Sequence, residues 1–214
     1  MRLLVVFSLM FLISYSCKKK TDPPIDEISC KAGIYDDNYN YVELESFPDL
    51  NMMWDTQNLY ASGSDSIDLD NDGLNDLVLS MSYYETDSAH LIIGYPNPFP
   101  GFRVTAKNGF QLNCMHDIAY HGMGASSTYY FPDTLSYGND VKTAAYWKSG
   151  SFWQENPIPT QLTFGPWYNA SKVYFMGFRK AISTGFGAYY KYGWVKIDCT
   201  NRYEPVFISY AIAK

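Results

Sequence analysis

At 214 residues the chain has room for one domain, or at most two small ones. Sixteen Lys and Arg against 22 Asp and Glu give a net charge of −6, which argues against a nucleic-acid partner, whose phosphates call for clustered basic groups. Aromatic residues reach 18%, with 20 Tyr, while charged residues are held to 18%, a balance that suits strands better than helices.

The chain opens with basic Arg2, an apolar run of eleven residues from Leu3 to Ile13, and small residues at Ser14 and Ser16. That layout predicts a secretory signal peptide over residues 1–16. The run is shorter than the roughly 18–20 residues of a membrane-spanning helix. Its removal deletes Arg2 alone among the charged residues and moves the net charge from −6 to −7. Ile13-Ser-Tyr-Ser-Cys17 resembles a lipobox, with Ser14 where Leu is usual and the bulky Tyr15 after it, a looseness that lipoproteins of the Bacteroidota tolerate. The resemblance implies lipidation of Cys17 and a membrane partner through that anchor. The expected place is the outer membrane, facing the periplasm or the surface. Residues 17–29 then read as a tether, with Lys18-Lys19-Lys20 near lipid headgroups or simply solvated, and Pro23-Pro24 keeping it extended. Residues 30–214 form the folded domain.

A lipidated Cys17 leaves Cys30, Cys114 and Cys199, of which two are expected to pair, in any of three ways. Ordinary signal cleavage would leave four cysteines and two bridges. Their wide spacing argues against a zinc site.

From Cys30 onward, short strand-like runs alternate with turn signals. Leu50 to Tyr60 reads as one or two helical turns. Leu77 to Tyr83 alternates, with Leu77, Leu79, Met81 and Tyr83 on one face and Val78, Ser80 and Ser82 on the other. Ala89 to Tyr95 reads as the next strand. Phe102–Lys107 and Phe110–Met115 flank Asn108-Gly109, the signature of a hairpin with a type I′ turn. Thr143–Lys148 and Ser151–Glu155 suggest a second hairpin. Residues 116–142 read as a long excursion between strands. Val173–Arg179, Tyr189–Cys199 and Pro205–Ile212 complete eight to ten strands. The expected fold is all-β: a single-domain sandwich, jelly-roll or lectin-like, that buries one face of each sheet.

One segment carries chemistry. Asp68, Asp70 and Asp72 alternate, Gly73 follows, and Asp76 closes the run. Calcium takes six to eight oxygens, and loop positions 1, 3, 5, 7 and 9 can converge on it. Here those are Asp68, Asp70, Asp72, the carbonyl of Leu74, and Asp76. An EF-hand would place a bidentate Glu where Leu79 stands, and the residues beyond the loop alternate like a strand. Without a cation, four carboxylates in nine residues repel one another, so the expected cofactor is one structural calcium ion.

The loop resembles the dockerin-like Asp-x-Asp-x-Asp-Gly-x-x-Asp element of FG-GAP and VCBS repeats, in which an acidic loop runs straight into a strand. It occurs once, which argues against a propeller. Ile67 to Gly73, Tyr174 to Arg179, Tyr192-Gly-Trp-Val-Lys196 and Ile208-Ser-Tyr-Ala211 come in an order similar to that of uncharacterised secreted and lipoprotein β-proteins of Bacteroidota. Lys191 and Ser209 depart from the His and Asp usual in that group. The resemblance implies fold and compartment only.

Other readings are weaker. His116-Asp117 and His121 show no fixed partner, His90 falls in a strand reading, and scattered Glu residues do not define an acid–base pair. No nucleophile elbow, zincin helix or Walker loop is present. Trp147, Trp153, Trp167 and Trp194 with nearby tyrosines suggest a sugar-stacking platform, with Tyr190, Tyr192 and Trp194 as candidate ligand-binding residues. The sequence therefore points to a non-catalytic envelope module that binds or scaffolds a glycan or an envelope protein. The rival is a carbohydrate-binding module or a glycan-active enzyme.

Overall fold

The computed structural model describes residues 30–44, 53–55, 60–84, 99–121, 125–143, 146–155, 172–185, 187–200 and 206–214. The signal peptide, Cys17, the tether, His90 and the Ala89–Tyr95 strand lie outside the described residues. The twelve strands found are β1 (Tyr39–Glu43), β2 (Met53–Asp55), β3 (Tyr60–Ile67), β4 (Leu77–Tyr84), β5 (Phe99–Ala106), β6 (Phe110–His121), β7 (Ala125–Pro132), β8 (Tyr146–Lys148), β9 (Gly150–Glu155), β10 (Val173–Thr184), β11 (Gly187–Asp198) and β12 (Val206–Ala213). They form two antiparallel sheets. The larger runs β1-β12-β11-β10-β6-β7, with β8 also on β6, and the smaller runs β2-β3-β4-β5-β9. The all-β sandwich expected from the pattern is the fold.

The interior between the sheets takes Leu77, Leu79 and Met81 from β4, Val104 and Ala106 from β5, and Phe110, Leu112 and Cys114 from β6. Met176, Phe178, Val195, Ile197, Phe207 and Ile212 come from the strands beyond. The alternation of β4 is thus realised, with Val78 and Ser80 only partly buried.

The larger sheet departs from the expected one-face burial. A second cluster of Cys30, Ala32, Tyr39, Leu135, Val141, Phe175, Tyr192 and Trp194 covers part of its outer face. The cover consists of the segments around residues 30–34 and 135–143. They are stitched together by a bridge between Lys31 and Asp140, and to the sheet by one between Leu135 and Phe175. Consecutive residues Tyr192 to Val195 are consequently all buried.

Both expected hairpins are corrected. The turn after Lys107 forms as expected: Asn108 and Gly109 have φ of 52° and 83°, and the N–H of Phe110 donates to the carbonyl of Lys107 at 2.9 Å. The strands it joins do not pair. Along β5, one edge is taken by β4 and the other by β9, so Ala106 already faces Leu77 and Gly150. The turn therefore carries the chain into the larger sheet, where β6 meets β10. The Ser149-Gly150 step crosses back in the same way, from β8 on β6 to β9 on β5. Thr143 belongs instead to a single 3-10 turn, Val141–Thr143.

Three further expectations fail. Within Leu50–Tyr60, residues 53–55 and Tyr60 are strand rather than helix. The supposed excursion over 116–142 is largely the hairpin of β6 and β7, registered from Cys114↔Pro132 to His121↔Ala125. No disulfide joins Cys30, Cys114 or Cys199, and all three thiols are buried. Cys30 sits under the outer cover while Cys114 and Cys199 belong to the inter-sheet core, so Cys30 is in a different layer from the other two. Burial pushes the thiols of Cys30 and Cys114 up to about 12.

Candidate metal centre

The acidic run joins β3 to β4, and its own backbone shapes it. Asn71 and Gly73 take left-handed φ of 58° and 86°. A Cβ on Gly73 would meet nothing within 4 Å, so glycine serves the backbone angle there rather than space. Asp68 folds the loop inward: its Oδ2 accepts the N–H of Gly73 at 2.8 Å and its Oδ1 that of Asp72 at 3.2 Å. Asp72 Oδ1 accepts the N–H of Leu74 at 2.9 Å.

Asp68, Asp70 and Asp76 lie close enough to hold a metal ion, each offering one carboxylate oxygen within 4.8 Å of the others. Asp76 is fully buried. Its Oδ2 accepts the N–H of Leu69 at 2.9 Å, while its Oδ1 is buried with no hydrogen-bond partner. The Oδ1 of Asp70 is in the same condition. Burial pushes the Asp76 carboxyl above the usual carboxylate range; the Leu69 N–H opposes the rise, the charge of Asp70 adds to it, and the Asn108 side chain and the Lys180 charge oppose it further. Of the five expected ligands, these three converge. Asp72 lies outside the cluster, and the Leu74 side chain points to solvent, 55% exposed, leaving only its carbonyl to contribute.

Distant residues dock the loop, and the sequence pattern held no sign of them. The N–H of Lys107 donates to the Asp76 carbonyl at 2.8 Å, and Asn108 Nδ2 to the Asn75 carbonyl at 3.0 Å. Tyr210 on β12 donates its hydroxyl to the Asp68 carbonyl at 3.1 Å. Lys180 on β10 bonds Asp70 Oδ2 and stands 3.8 Å from Asp72 Oδ2. Burial alone would lower the Lys180 pKa, but the hydrogen bond to Asp70 and the charges of Asp70, Asp76 and Asp72 outweigh it and raise the ammonium net. The loop between two strands of the smaller sheet is thus held by groups from the larger one.

Chemically the cluster offers oxygen alone, from hard carboxylates, with no thiolate or imidazole among the three. Such a set suits calcium, magnesium or manganese rather than zinc or copper. Comparison with known proteins returned no matching family, no matching curated protein and no matching solved structure. The chemistry of the site therefore stands on its residues.

At residues 190–194 the expected stacking platform is not an open surface. Trp194 is fully buried and Tyr192 nearly so. Trp194 packs edge-on against Phe175 at 5.3 Å, and Tyr192 against Trp147 at 5.7 Å. Tyr190 is half-buried, with the Arg179 guanidinium 3.9 Å over its ring. A sugar needs an open ring face, and the outer cover and Arg179 occupy these. His116 is exposed on β6, its ring 4.7 Å from that of Tyr146. Asp117 and His121 are strand residues whose side chains lie outside the described set, as do those of Trp153 and Trp167. No helix among the described residues is long and apolar enough to cross a membrane.

Proposed function

We propose that the chain is a non-catalytic binding or scaffolding module of the bacterial cell envelope, anchored through Cys17 and pinned by one structural calcium ion in the 68–76 loop. The observation that carries the calcium reading is Asp76. It is a fully buried carboxylate with an unpartnered Oδ1, grouped with two more carboxylates. Burial of an ionised carboxylate beside a second one is costly even with the Leu69 N–H bonded to it, and a divalent cation offsets that cost. Asp68, Asp70 and Asp76 would hold the ion, with the Leu74 carbonyl and water to complete six or more oxygens. Lys180 would then share Asp70 with the ion or yield it.

A structural rather than catalytic ion follows from the setting. The ligands come from one short loop, the deepest of them is sealed from solvent, and no nucleophile or acid–base pair stands beside it among the described residues. Bound calcium would fix the β3–β4 loop in its folded-in form, with Tyr210 of β12 still bonded to the Asp68 carbonyl. The anchor rests on the leader and the lipobox-like segment, and it sets the expected location at the outer membrane.

Calorimetric titration of the chelator-stripped full-length protein tests the ion. One calcium site is expected, with magnesium weaker because it demands stricter octahedral geometry. Absence of calcium binding would overturn the reading. Membrane fractionation tests the anchor: the wild type should sediment with membranes and a Cys17→Ala variant should not. An identical distribution of the two would reject lipidation.

A further inference from the structure

On β10, Lys180 turns to the acidic loop, and its neighbour Arg179 turns to the opposite, outer face of the larger sheet. Arg179 pairs with Tyr192 of β11 on one side and with Gln111 of β6 on the other. Tyr190 stands two residues from Tyr192, and Trp147 on β8 pairs with Asn113, two residues from Gln111, so all of these side chains share that face. Trp147 and Tyr190 pack against the edge of the roofed cluster, and they and Arg179 are half-buried. The Nε of Arg179 donates to Gln111 Oε1 at 2.8 Å. Its guanidinium carbon stands 3.9 Å over the Tyr190 ring and 4.7 Å over that of Trp147. Stacking uses the guanidinium faces and Gln111 uses Nε, which leaves the two Nη groups as donors. Among the described residues no carboxylate pairs with Arg179, and the buried unpartnered polar atoms include neither Nη, so both reach solvent.

We infer that Arg179 anchors a binding site for one carboxylate group, taken end-on by its two Nη groups beside the Trp147 and Tyr190 rings. The inference rests on the binding-module reading and deepens it by naming the ligand chemistry, and it does not depend on the calcium. Surface ion pairs usually contribute little, because a long side chain must give up its freedom to form one. Here the two rings and Gln111 have already fixed the guanidinium, so binding costs less order. The planar two-donor fork matches the two oxygens of a carboxylate. Charge points the same way. Lys142 lies nearby, its Nζ 5.4 Å over the Tyr192 ring, but Asp140 beside it accepts the Lys142 N–H at 2.9 Å and offsets its charge. The site thus carries the single positive charge of Arg179 in a chain of net charge −6. A singly charged anion balances it, whereas a phosphate or sulfate dianion brings more charge and more acceptors than one fork satisfies. The aromatic residues expected to stack a sugar therefore serve instead to hold a cation.

The test is an NMR titration of the full-length protein at fixed ionic strength, reading the Arg179 Nε–H and Trp147 indole signals. The protein is stripped of calcium and then dialysed free of chelator, because common chelators are themselves carboxylates. The probes are methyl glucuronide and N-acetylalanine, with methyl glucoside as the uncharged match and inorganic phosphate and sulfate as tetrahedral anions. At least one carboxylate should shift both signals and saturate on the order of millimolar, the range expected of one small group. Methyl glucoside should shift neither. A response to methyl glucuronide alone indicates an acidic sugar, to N-acetylalanine alone a peptide end, and to both a site that reads the carboxylate itself. Arg179→Lys keeps the charge and loses the fork, so the indole titration should show binding about ten-fold weaker. Gln111→Leu releases Nε and should weaken binding about three-fold. Tyr137→Ala, an exposed ring on the cover, should change nothing. The inference is overturned if neither carboxylate binds, if methyl glucoside binds as tightly as methyl glucuronide, if phosphate or sulfate binds more tightly than both carboxylates, or if either Arg179→Lys or Gln111→Leu binds like the wild type. Failure here leaves the calcium titration and the Cys17→Ala fractionation standing on their own results, and failure of either of those leaves this site standing.

Discussion

Replacing Asp76 by Asn should change stability in opposite directions with and without calcium. The substitution keeps an oxygen to accept the Leu69 N–H, now at 2.9 Å, and removes the charge on a fully buried, partly unpartnered carboxylate. Without metal, the variant loses a desolvated charge that also repels Asp70, so it should equal or exceed the wild type by up to about 1 kcal/mol. With metal, it lacks the deepest ligand. For a dissociation constant on the order of 10 µM and about 1 mM free calcium, the wild type gains about 2.7 kcal/mol. At about 2–4 °C per kcal/mol for a domain of this size, that is a rise of about 5–11 °C in Tm. The Asp76→Asn variant should show less than a third of that rise. Paired thermal melts by circular dichroism, in calcium and in chelator, read all four values. A wild-type Tm indifferent to calcium, or a variant that keeps the full calcium shift, would refute the reasoning.

Three further outcomes rest on the same geometry. The carboxyls of Asp76, Asp65 and Asp133 are all raised by burial, so the folded metal-free protein holds protons that the unfolded chain releases. Stability from that source is fully present below the unfolded pKa of about 4 and is lost as pH climbs through the raised values. Calcium needs the ionised form, so its stabilisation runs the other way. The Tm difference between calcium and chelator should be larger at pH 7 than near pH 4, and a constant difference would count against carboxylate ligands. Lys180→Met removes the ammonium that competes for Asp70. Calcium affinity should tighten several-fold while the metal-free protein loses about 1 kcal/mol, and a weaker calcium affinity would show instead that Lys180 supports the site. Gly193→Ala should destabilise by about 3 kcal/mol or more in denaturant unfolding, because its Cβ would fall 2.3 Å from Phe178 Cζ and 2.4 Å from the Ala211 carbonyl oxygen. A variant as stable as the wild type would mean that Phe178 moves freely in the core.

The parts of the fold legible in the sequence were those governed by near neighbours. The alternation of Leu77, Leu79 and Met81, the three long C-terminal strands and the positive φ at Asn108-Gly109 are local consequences of side-chain periodicity and turn chemistry. Pairing was not legible at that turn. Whether β6 folds back on β5 depends on whether the β5 edge is open, and the residues closing it, on β9, lie some fifty positions on. Likewise Trp194 and Tyr192 read as exposed aromatics because nothing nearby announces that residues 30–34 and 135–143 will roof that face. The acidic loop was readable because its donors are spaced within nine residues. Lys180 and Tyr210 were not, being 110 and 142 residues from their partners in the loop.

The placement of β12 between β1 and β11 has a consequence for how the domain comes into being. The first strand described pairs along its whole length with the last, and Lys214 bonds the carbonyl of Asp37 across 177 residues. A growing or threading chain carries β1 without its β12 partner until residues 206–213 arrive. Closure of the larger sheet is therefore a late, long-range event, slow by the entropy of so large a loop. A chain cut short before Val206 would present two bare strand edges, on β1 and β11, as a visible flag for proteolysis or aggregation.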